Sequence, residues 1–216
     1  MTLIRFPDPR YAGYEGIVTI GGDLNPTNLL RAYSQGIFPW PIEGWPLTWF
    51  CPEERAILEF KDLHVPRSLA RVSRRSPFTF TIDHDFRAVI TSCATAARPE
   101  GEGTWITPQM IRGYCELHRM GYAHSVEAWE EGELVGGVYG IDAGGAFAGE
   151  SMFYARPSAS KLALLHLIEH LQERGSEWMD IQVMTPHMRA LGAKLISRDL
   201  FLRMLVKAQE RGLKLF

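Results

Sequence analysis

Cysteine is scarce in this 216-residue sequence, which contains only Cys51, Cys93 and Cys115. No two of them show the C-x-x-C spacing typical of zinc sites, and their scattered positions do not indicate a disulfide framework. The seven histidines form neither an H-x-H nor an H-E-x-x-H pair, so no metal-ligand motif is present. We therefore expect buried thiols and no metal site.

Long apolar runs are also missing. No stretch approaches the roughly 18 apolar residues that suggest a membrane span, and no charged start leads into the apolar core of a signal peptide. We expect a cytoplasmic protein without a membrane segment. The net charge of -2 and the pI of about 6.4 argue against a surface that is basic throughout. Any binding of nucleic acid must therefore rest on a local basic patch.

The signatures of nucleotide cofactors and of Ser-His-Asp hydrolases are absent too. GGDL at residues 21–24 is a glycine turn without the G-x-G-x-x-G spacing of a dinucleotide-binding loop. Ser151 lies in GESMF rather than in a G-x-S-x-G elbow. We predict no cofactor.

The second half of the chain has the order of elements of an α+β fold. Three strand-like runs, AHSVEAW, ELVGGVYGI and GAFAGESMF, are separated by the turn sequences EEG and DAGG, which predicts an antiparallel meander. An amphipathic helix over residues 158–174, a strand over 178–184 and a last helix over 199–211 follow. A meander that leads through a helix to one more strand resembles the GNAT acyltransferases, whose sheet is mixed and flanked by helices.

The first 60 residues are rich in Pro, Gly and Trp and contain one predicted helix, over residues 25–35, with Asn25 as its cap. In GIFPWPIEGWPLTWF the spaced prolines forbid regular structure while the aromatic rings demand burial. This stretch should wrap over another surface. We divide the chain into a small N-terminal domain, residues 1–60, and a GNAT-like catalytic domain, residues 61–216.

Two short segments place polar side chains inside apolar runs. Glu150 lies in GESMF, and Asp180 and Gln182 lie two apart in DIQ. A charged group that leaves water costs several kcal/mol unless it is paired, so these positions suggest a function. On a regular strand Asp180 and Gln182 share one face. The alternatives are a solvent-exposed face for this pair and an edge charge or pair partner for Glu150.

The aromatic residues of the first half provide packing, and some of them can instead line a pocket for an apolar or base moiety. The set comprises Phe38, Trp40, Trp45, Trp49, Phe50 and Trp105.

One run is clearly basic, with Lys61, Arg67, Arg71, Arg74 and Arg75 in a chain that is otherwise slightly acidic. It is the natural candidate for phosphate binding. The alternative is an ordinary solvated helix face.

A dozen motifs occur in the order of a known family, among them GGDL, AYSQGIFPW, EGTWIT, ELVGGVYG, GESMF, SASKLAL and DIQ. Over residues 20–201 the chain resembles the leucyl/phenylalanyl-tRNA-protein transferases. The resemblance implies a bacterial, cytoplasmic, monomeric enzyme with a GNAT-like C-terminal domain and a small N-terminal domain. Such enzymes move Leu or Phe, and also Met, from aminoacyl-tRNA onto proteins that begin with Arg or Lys and mark them for degradation.

The resemblance also implies roles for individual residues. Asp180 and Gln182 become the catalytic pair, with Glu150 in the same site. Aminolysis of an activated ester chiefly requires alignment, removal of an amine proton and stabilisation of an oxyanion. Asp180 would orient the amine and accept or relay its proton, and Gln182, whose amide is not basic, would hold the amine or a ribose hydroxyl. Glu150 would attract the cationic acceptor side chain or tie down the site.

The remaining implied residues bind substrates. Trp49 and Trp105 match positions near the terminal adenosine of the tRNA and the aminoacyl pocket. The other expected substrate contacts are Phe147, Ser151 and Phe153, and the patch expected to hold the tRNA is formed by Arg71, Arg74 and Arg75.

Two other functions compete with this one. A CoA-dependent GNAT N-acetyltransferase should carry a Q/R-x-x-G-x-G/A run before the helix that follows the meander, because backbone amides there bind the pyrophosphate. The sequence at that junction is YARPSASK, without the glycines. An RNA-binding module without chemistry would explain the basic run but not the carboxylates.

Overall fold

The computed structural model describes residues 3–13, 15–96 and 104–216. Its helices are α1 (Pro26–Tyr33), α2 (Arg67–Ser73), α3 (Phe86–Thr95), α4 (Pro108–Arg119), α5 (Ala159–Glu173), α6 (Pro186–Ala190) and α7 (Arg198–Arg211). Its strands are β1 (Ile17–Ile20), β2 (Phe38–Pro39), β3 (Thr48–Phe50), β4 (Glu54–Glu59), β5 (Thr79–Ile82), β6 (Ala123–Glu130), β7 (Glu133–Asp142), β8 (Phe147–Tyr154), β9 (Trp178–Gln182) and β10 (Lys194–Ser197). In these ranges no helix has the length and apolarity to cross a membrane.

The strands form a small and a large sheet. The small sheet has the order β1-β3-β2, and the large one has the order β10-β4-β9-β8-β7-β6-β5. Neighbouring strands are antiparallel except β8 and β9, which are parallel and are joined through α5, as a parallel pair requires. The predicted meander, helix and final strand are therefore confirmed, and with them the α+β, GNAT-like fold class.

Each face of the large sheet has its own hydrophobic core, because alternate residues of a strand point to opposite faces. On one face Val138 and Phe147 belong to the core that includes α5. On the other face Tyr139 and Ala148 belong to the core that includes residues of α1, α3 and α4. The polar residues described below lie at the border of this second core.

Helices α1 and α4 start at strong caps. The Asn25 side chain accepts a hydrogen bond from the Asn28 backbone N–H at 2.9 Å, and Thr107 caps α4 through the Met110 N–H at 3.2 Å. A proline occupies the first turn of each helix, where its missing N–H is harmless. The caps fix the start of each helix, and both helices bury a tyrosine, Tyr33 on α1 and Tyr114 on α4.

The N-terminal region contains more regular structure than the sequence predicted. The aromatic stretch was expected to lack it, yet the stretch contributes β2 and β3. Pro39 is tolerated because β2 is an edge strand, where one side needs no ladder hydrogen bonds. β4 was not predicted and pairs with both β9 and β10; α3, β5 and β10 were also missed. The division at residue 60 stays a prediction.

Candidate functional site

A β-bulge positions Glu150. Tyr139 of β7 lies opposite Ser151, and the next residue, Gly140, lies opposite Gly149. Glu150 is thus the extra residue of β8 and has no partner on β7. Bulges bend a strand and redirect side chains, and they are frequent beside active sites.

A second bulge positions Asp180 and Gln182. Ile57 of β4 lies opposite Asp180 and Ala56 lies opposite Gln182, so that Ile181 is the extra residue of β9. Gln182 has a φ of +61°, a left-handed conformation that is uncommon for residues other than glycine and clusters at functional sites. Its backbone N–H donates to Asp180 Oδ1 at 2.9 Å. The predicted strand over 178–184 therefore ends earlier, at Gln182.

Glu150 is the centre of a buried hydrogen-bond cluster. Tyr33 donates its hydroxyl to Oε1 at 2.7 Å, and Tyr114 donates to Oε2 at 3.2 Å. The Gln182 side-chain nitrogen donates to Oε1 at 2.5 Å. Because an ionised carboxylate only accepts hydrogen bonds, the NH₂ group of Gln182 faces Glu150 and its amide oxygen is left to accept from another donor.

Asp180 has a cationic partner instead. Arg55 of β4 donates from Nε to Oδ1 at 2.8 Å and from Nη2 to Oδ2 at 2.7 Å, the bidentate geometry of a strong ion pair. Arg55 is 1% and Asp180 4% exposed. The guanidinium carbon also lies 4.6 Å from the Phe38 ring centre and 4.3 Å from that of Phe201, within cation–π distance.

The two carboxylates therefore differ in how their charge is balanced. Burial raises the pKa of Glu150 from 4.5 to about 7, although Tyr33, Gln182 and Tyr114 oppose this rise by donating hydrogen bonds. The nearby charge of Asp180 adds to the rise. Burial also raises the pKa values of Tyr33 and Tyr114 well above the usual value, so both hydroxyls are protonated donors at neutral pH.

The aromatic side chains divide into core residues and a partly exposed pair. Trp49 has no exposed surface and donates from its indole nitrogen to the Gly21 carbonyl at 3.0 Å. Trp40 and Trp105 are only partly buried and stack on each other, with ring centres 5.3 Å apart and planes at 18°. Both rings keep part of their surface exposed at the border of the core. Trp40 is therefore a better candidate than Trp49 for contact with a base or an apolar ligand. The first two residues of EGTWIT lie outside the described ranges.

The other predicted substrate contacts lie on β8. Phe147 is fully buried and Phe153 is 6% exposed. Ser151, next to Glu150, is partly exposed. Of the three, Ser151 is the most exposed, and the assignment of the set to substrate binding stays a prediction.

The α2 arginines, by which we mean Arg71 within the helix and Arg74 and Arg75 directly after its end, lie on the surface. Arg71, Arg74 and Arg75 are all exposed, and among the described residues no salt bridge involves them. Lys61 is different, because it pairs with Glu59 at 3.2 Å. Leu69 is buried and anchors the helix in the core beside α5. The exposed set therefore presents three positive charges that form no ion pair within the described part of the chain.

Models of a single family match most of the chain. The leucyl/phenylalanyl-tRNA protein transferase model matches residues 57–206, and the N-terminal domain model of the same family matches residues 22–53. A transferase of this name from Anaeromyxobacter sp. (strain Fw109-5) is 48% identical over 208 residues, which are 96% of this chain and 88% of that protein. Another, from Chromohalobacter salexigens, is 51% identical over 201 residues, 92% of this chain and 78% of that protein. The chain belongs to the leucyl/phenylalanyl-tRNA-protein transferase family.

The resemblance inferred from the motifs is confirmed, and an aminoacyltransferase activity follows from it. Among solved structures, the chain is similar to a GCN5-related N-acetyltransferase-like protein from Streptococcus suis 89/1591. It is 14% identical, covers 80% of this chain and 66% of its own, and has a TM-score of 0.38.

In the cluster around Glu150 and Asp180, sequence reasoning missed three side chains that contact the predicted residues. Arg55 falls between the two matched ranges, and its signal was an arginine at the start of the apolar run AILEF. Tyr33 and Tyr114 lie on buried helix faces, where a tyrosine is ordinary core. Nothing in the sequence could tell that both hydroxyls end at Glu150.

Proposed function

We propose that the protein transfers Leu or Phe, and also Met, from aminoacyl-tRNA to the N-terminal α-amine of proteins that begin with Arg or Lys. The modified proteins would be marked for degradation, and the enzyme would act as a monomer in the bacterial cytoplasm. The observation that carries this proposal is the convergence of Glu150, Asp180 and Gln182 from two bulged strands. The names of the relatives supply the tRNA donor and the protein acceptor.

The chemistry of this cluster suits aminolysis. The ester of an aminoacyl-tRNA is already activated, so the enzyme needs to align the two substrates rather than supply a covalent nucleophile. An α-amine has a reference pKa near 7.7 to 8.0, so a modest base is enough. The amide oxygen of Gln182 can accept from the amine, because its NH₂ group is held by Glu150.

Asp180 stabilises the site through its hydrogen bonds to neighbouring residues. Its two oxygens are engaged by Arg55, and Oδ1 also accepts from the Gln182 backbone N–H. We assign it the role of orienting Gln182 in its left-handed conformation.

The charge of the cluster suits a cationic acceptor. With both carboxylates ionised, Arg55 neutralises one of them and a single negative charge remains at Glu150. An α-ammonium, with the nearby cationic side chain of Arg or Lys, is complementary to that charge. The exposed arginines of α2 would hold the acceptor stem of the tRNA, and the Trp40–Trp105 pair would hold the terminal base or the aminoacyl group.

The test uses radiolabelled aminoacyl-tRNA and an Arg-initiated acceptor protein. We expect label from Leu-, Phe- and Met-tRNA in the acceptor, and at least about tenfold less from Ile- and Val-tRNA, because an apolar pocket discriminates by fit. An acceptor with an acetylated N-terminus and one that begins with Glu are the controls, and neither should be labelled. Equal labelling from Ile- and Leu-tRNA would contradict a shaped pocket.

The rival acetyltransferase is tested in the same assay. Labelled acetyl-CoA replaces the aminoacyl-tRNA, with the same acceptor. Acetylation of that acceptor without aminoacyl transfer would overturn the proposed donor.

A further inference from the structure

Tyr33, Tyr114 and Glu150 form a closed triangle of oxygen contacts. The two hydroxyl oxygens lie 2.5 Å apart, and each also lies within hydrogen-bond distance of one Glu150 oxygen, at 2.7 and 3.2 Å. The three residues come from α1, α4 and β8, which are distant in sequence. Such a triangle needs one proton for each of its three contacts.

The number of protons depends on Glu150. When Glu150 is ionised, the two tyrosines supply only two protons for three contacts, because a phenol has one O–H. When Glu150 is protonated, the ring is complete: its O–H donates to Tyr114, Tyr114 donates to Tyr33, and Tyr33 donates to Oε1. The Gln182 NH₂ group donates to Oε1 in both states. The triangle is therefore one proton short in the ionised state and complete after it takes up a proton.

The surroundings of the triangle do not hold Glu150 in its charged form. Among the described residues no cationic side chain forms a salt bridge with Glu150. Asp180 faces it from β9, but the charge of Asp180 is balanced by Arg55 of β4. From β7, Tyr139 packs edge-on against the Tyr114 ring. Burial, the largest influence, raises the pKa of Glu150 to about 7.

We propose that Glu150 is the proton acceptor of aminoacyl transfer, and that Tyr33 and Tyr114 are positioning residues that let it gain and lose a proton without moving. This inference rests on the proposed function and deepens it. It moves the role of base from Asp180 to Glu150. The Asp180 oxygens already accept hydrogen bonds from Arg55 and from the Gln182 backbone N–H, whereas the triangle around Glu150 can take up one more proton. Glu150 as a whole residue is only partly buried, and in this proposal the acceptor amine lies beside it.

The proton balance is as follows. The acceptor ammonium transfers one proton to the Glu150 carboxylate and becomes a neutral amine. Its nitrogen forms a bond to the ester carbonyl carbon, and the bond from that carbon to the ribose oxygen breaks. The attacking nitrogen loses a second proton, which goes to the departing ribose oxygen, and Glu150 returns its own proton to solvent.

The first experiment compares the pH dependence of kcat for the parent and for Glu150→Gln with saturating Leu-tRNA and one Arg-initiated acceptor. We expect the parent rate to fall about tenfold per pH unit below pH 7. We call this fall in rate the acid limb of the pH profile. We expect Glu150→Gln to be at least about 100-fold slower at pH 7.5, the usual contribution of a general base, and to lack the acid limb. A limb that persists in Glu150→Gln would belong to the acceptor amine and would overturn the proposal. Absence of any transfer by the parent would instead refute the proposed function.

The second experiment tests the tyrosines through a readout that a packing role would not move. Tyr33→Phe removes a hydrogen bond that is stronger to the carboxylate than to the carboxylic acid. The acid limb should therefore move to higher pH, by about one unit. Tyr122→Phe, at a tyrosine that is 41% exposed, is the matched control and should leave the limb in place. A slower Tyr33→Phe enzyme with an unmoved limb would overturn the positioning role.

A third measurement needs no variant to be active. Infrared difference spectra of the parent without substrates should contain a protonated carboxyl band that grows as the pH falls from 8 to 6 and is missing in Glu150→Gln. If no carboxyl group of the parent titrates in that range, the proposal is wrong, whether or not the variants fold.

Discussion

The polar side chains of the site lie inside the protein, whereas the arginines of α2 lie on its surface. Arg55 and Asp180 are almost fully buried, while Arg71, Arg74 and Arg75 are exposed and share no ion pair with another described residue. Both regions contain guanidinium groups. Those of the first region are buried in the protein, whereas those of the second are surrounded by water. In the interior each charge depends on a fixed partner, and on the surface water is the partner.

This difference separates two kinds of mutational effect. Removing a partner in the interior leaves a buried charge or polar atom without compensation, which costs stability and distorts the site. Removing a surface charge changes stability little but changes the attraction for a polyanion. The two regions can therefore be distinguished by what a substitution changes: free energy of unfolding and pH dependence for one, salt dependence for the other.

The largest effect is expected at Arg55. Arg55→Met leaves Asp180 buried without its cation and should lower the free energy of unfolding by about 3 to 5 kcal/mol, measured by urea denaturation. Asp180→Asn should also be destabilised, because it leaves Arg55 without its counter-charge. The double variant Arg55→Met/Asp180→Leu should regain most of the loss, since an apolar pair can replace a buried ion pair.

Arg67→Met on α2 is the matched control for Arg55→Met. Arg67 is exposed, and its loss should change the free energy of unfolding by no more than about 0.5 kcal/mol. Equal destabilisation at Arg55 and Arg67 would remove the contrast between interior and surface.

The next effect concerns two tryptophans of the N-terminal region. Trp49 is fully buried, so Trp49→Ala should lower the free energy of unfolding by about 3 to 5 kcal/mol. Trp40 is partly exposed and stacked on Trp105, so Trp40→Ala should be less destabilising and should weaken binding of an aminoacyl-adenosine by about 1 to 3 kcal/mol. Titration of both variants with the aminoacyl-adenosine tests this difference between an effect on stability and an effect on binding. Weakened binding in a folded Trp49→Ala with unchanged binding in Trp40→Ala would favour Trp49 as the ligand contact.

The third effect is a pH dependence of stability that arises from Glu150. Burial raises its pKa from 4.5 to about 7, so the folded protein keeps a proton that the unfolded chain releases between these values. The stability linked to this proton is fully present below about pH 4.5 and is lost as the pH rises through 7, a total of about 3 kcal/mol. The free energy of unfolding of Glu150→Gln minus that of the parent should therefore rise from pH 5 to pH 8. Urea titrations at four pH values measure this difference, and a difference independent of pH would contradict a titrating Glu150.

The sequence predicted the parts of the molecule that depend on local chemistry. Turn residues, helix caps and alternating apolar residues were enough to find β6, β7, β8, α5 and α7. The short strands β2 and β3 were missed because their pairing is set by distant residues and not by local propensity. Glu150, Asp180 and Gln182 could be singled out because polar groups in apolar runs are costly.

The partners of those residues could not be predicted in the same way. Glu150 and Tyr114 are 36 residues apart, and Arg55 and Asp180 are 125 apart. Each bulge that brings them together shifts the strand register by one residue. The alternation of apolar residues in the sequence does not show where such a shift occurs.

The smallest effect on the folded protein is expected on α2. If Arg71, Arg74 and Arg75 each neutralise one phosphate, replacing all three by Ala should reduce the slope of log K against log salt by about 2 to 3, since each contact releases roughly 0.7 to 0.9 counterion. Binding of full tRNA over a salt series measures the slope. Turnover of an aminoacyl-adenosine, which lacks the stem, should be the same in this variant as in the parent.

The matched control replaces three other exposed cations, Arg189, Arg203 and Lys207, by Ala. It removes the same charge elsewhere and should change the slope by less than about one. An unchanged slope in the α2 variant would leave these arginines as an ordinary solvated face, and equal changes in both variants would mean that the tRNA responds to net charge and not to this patch.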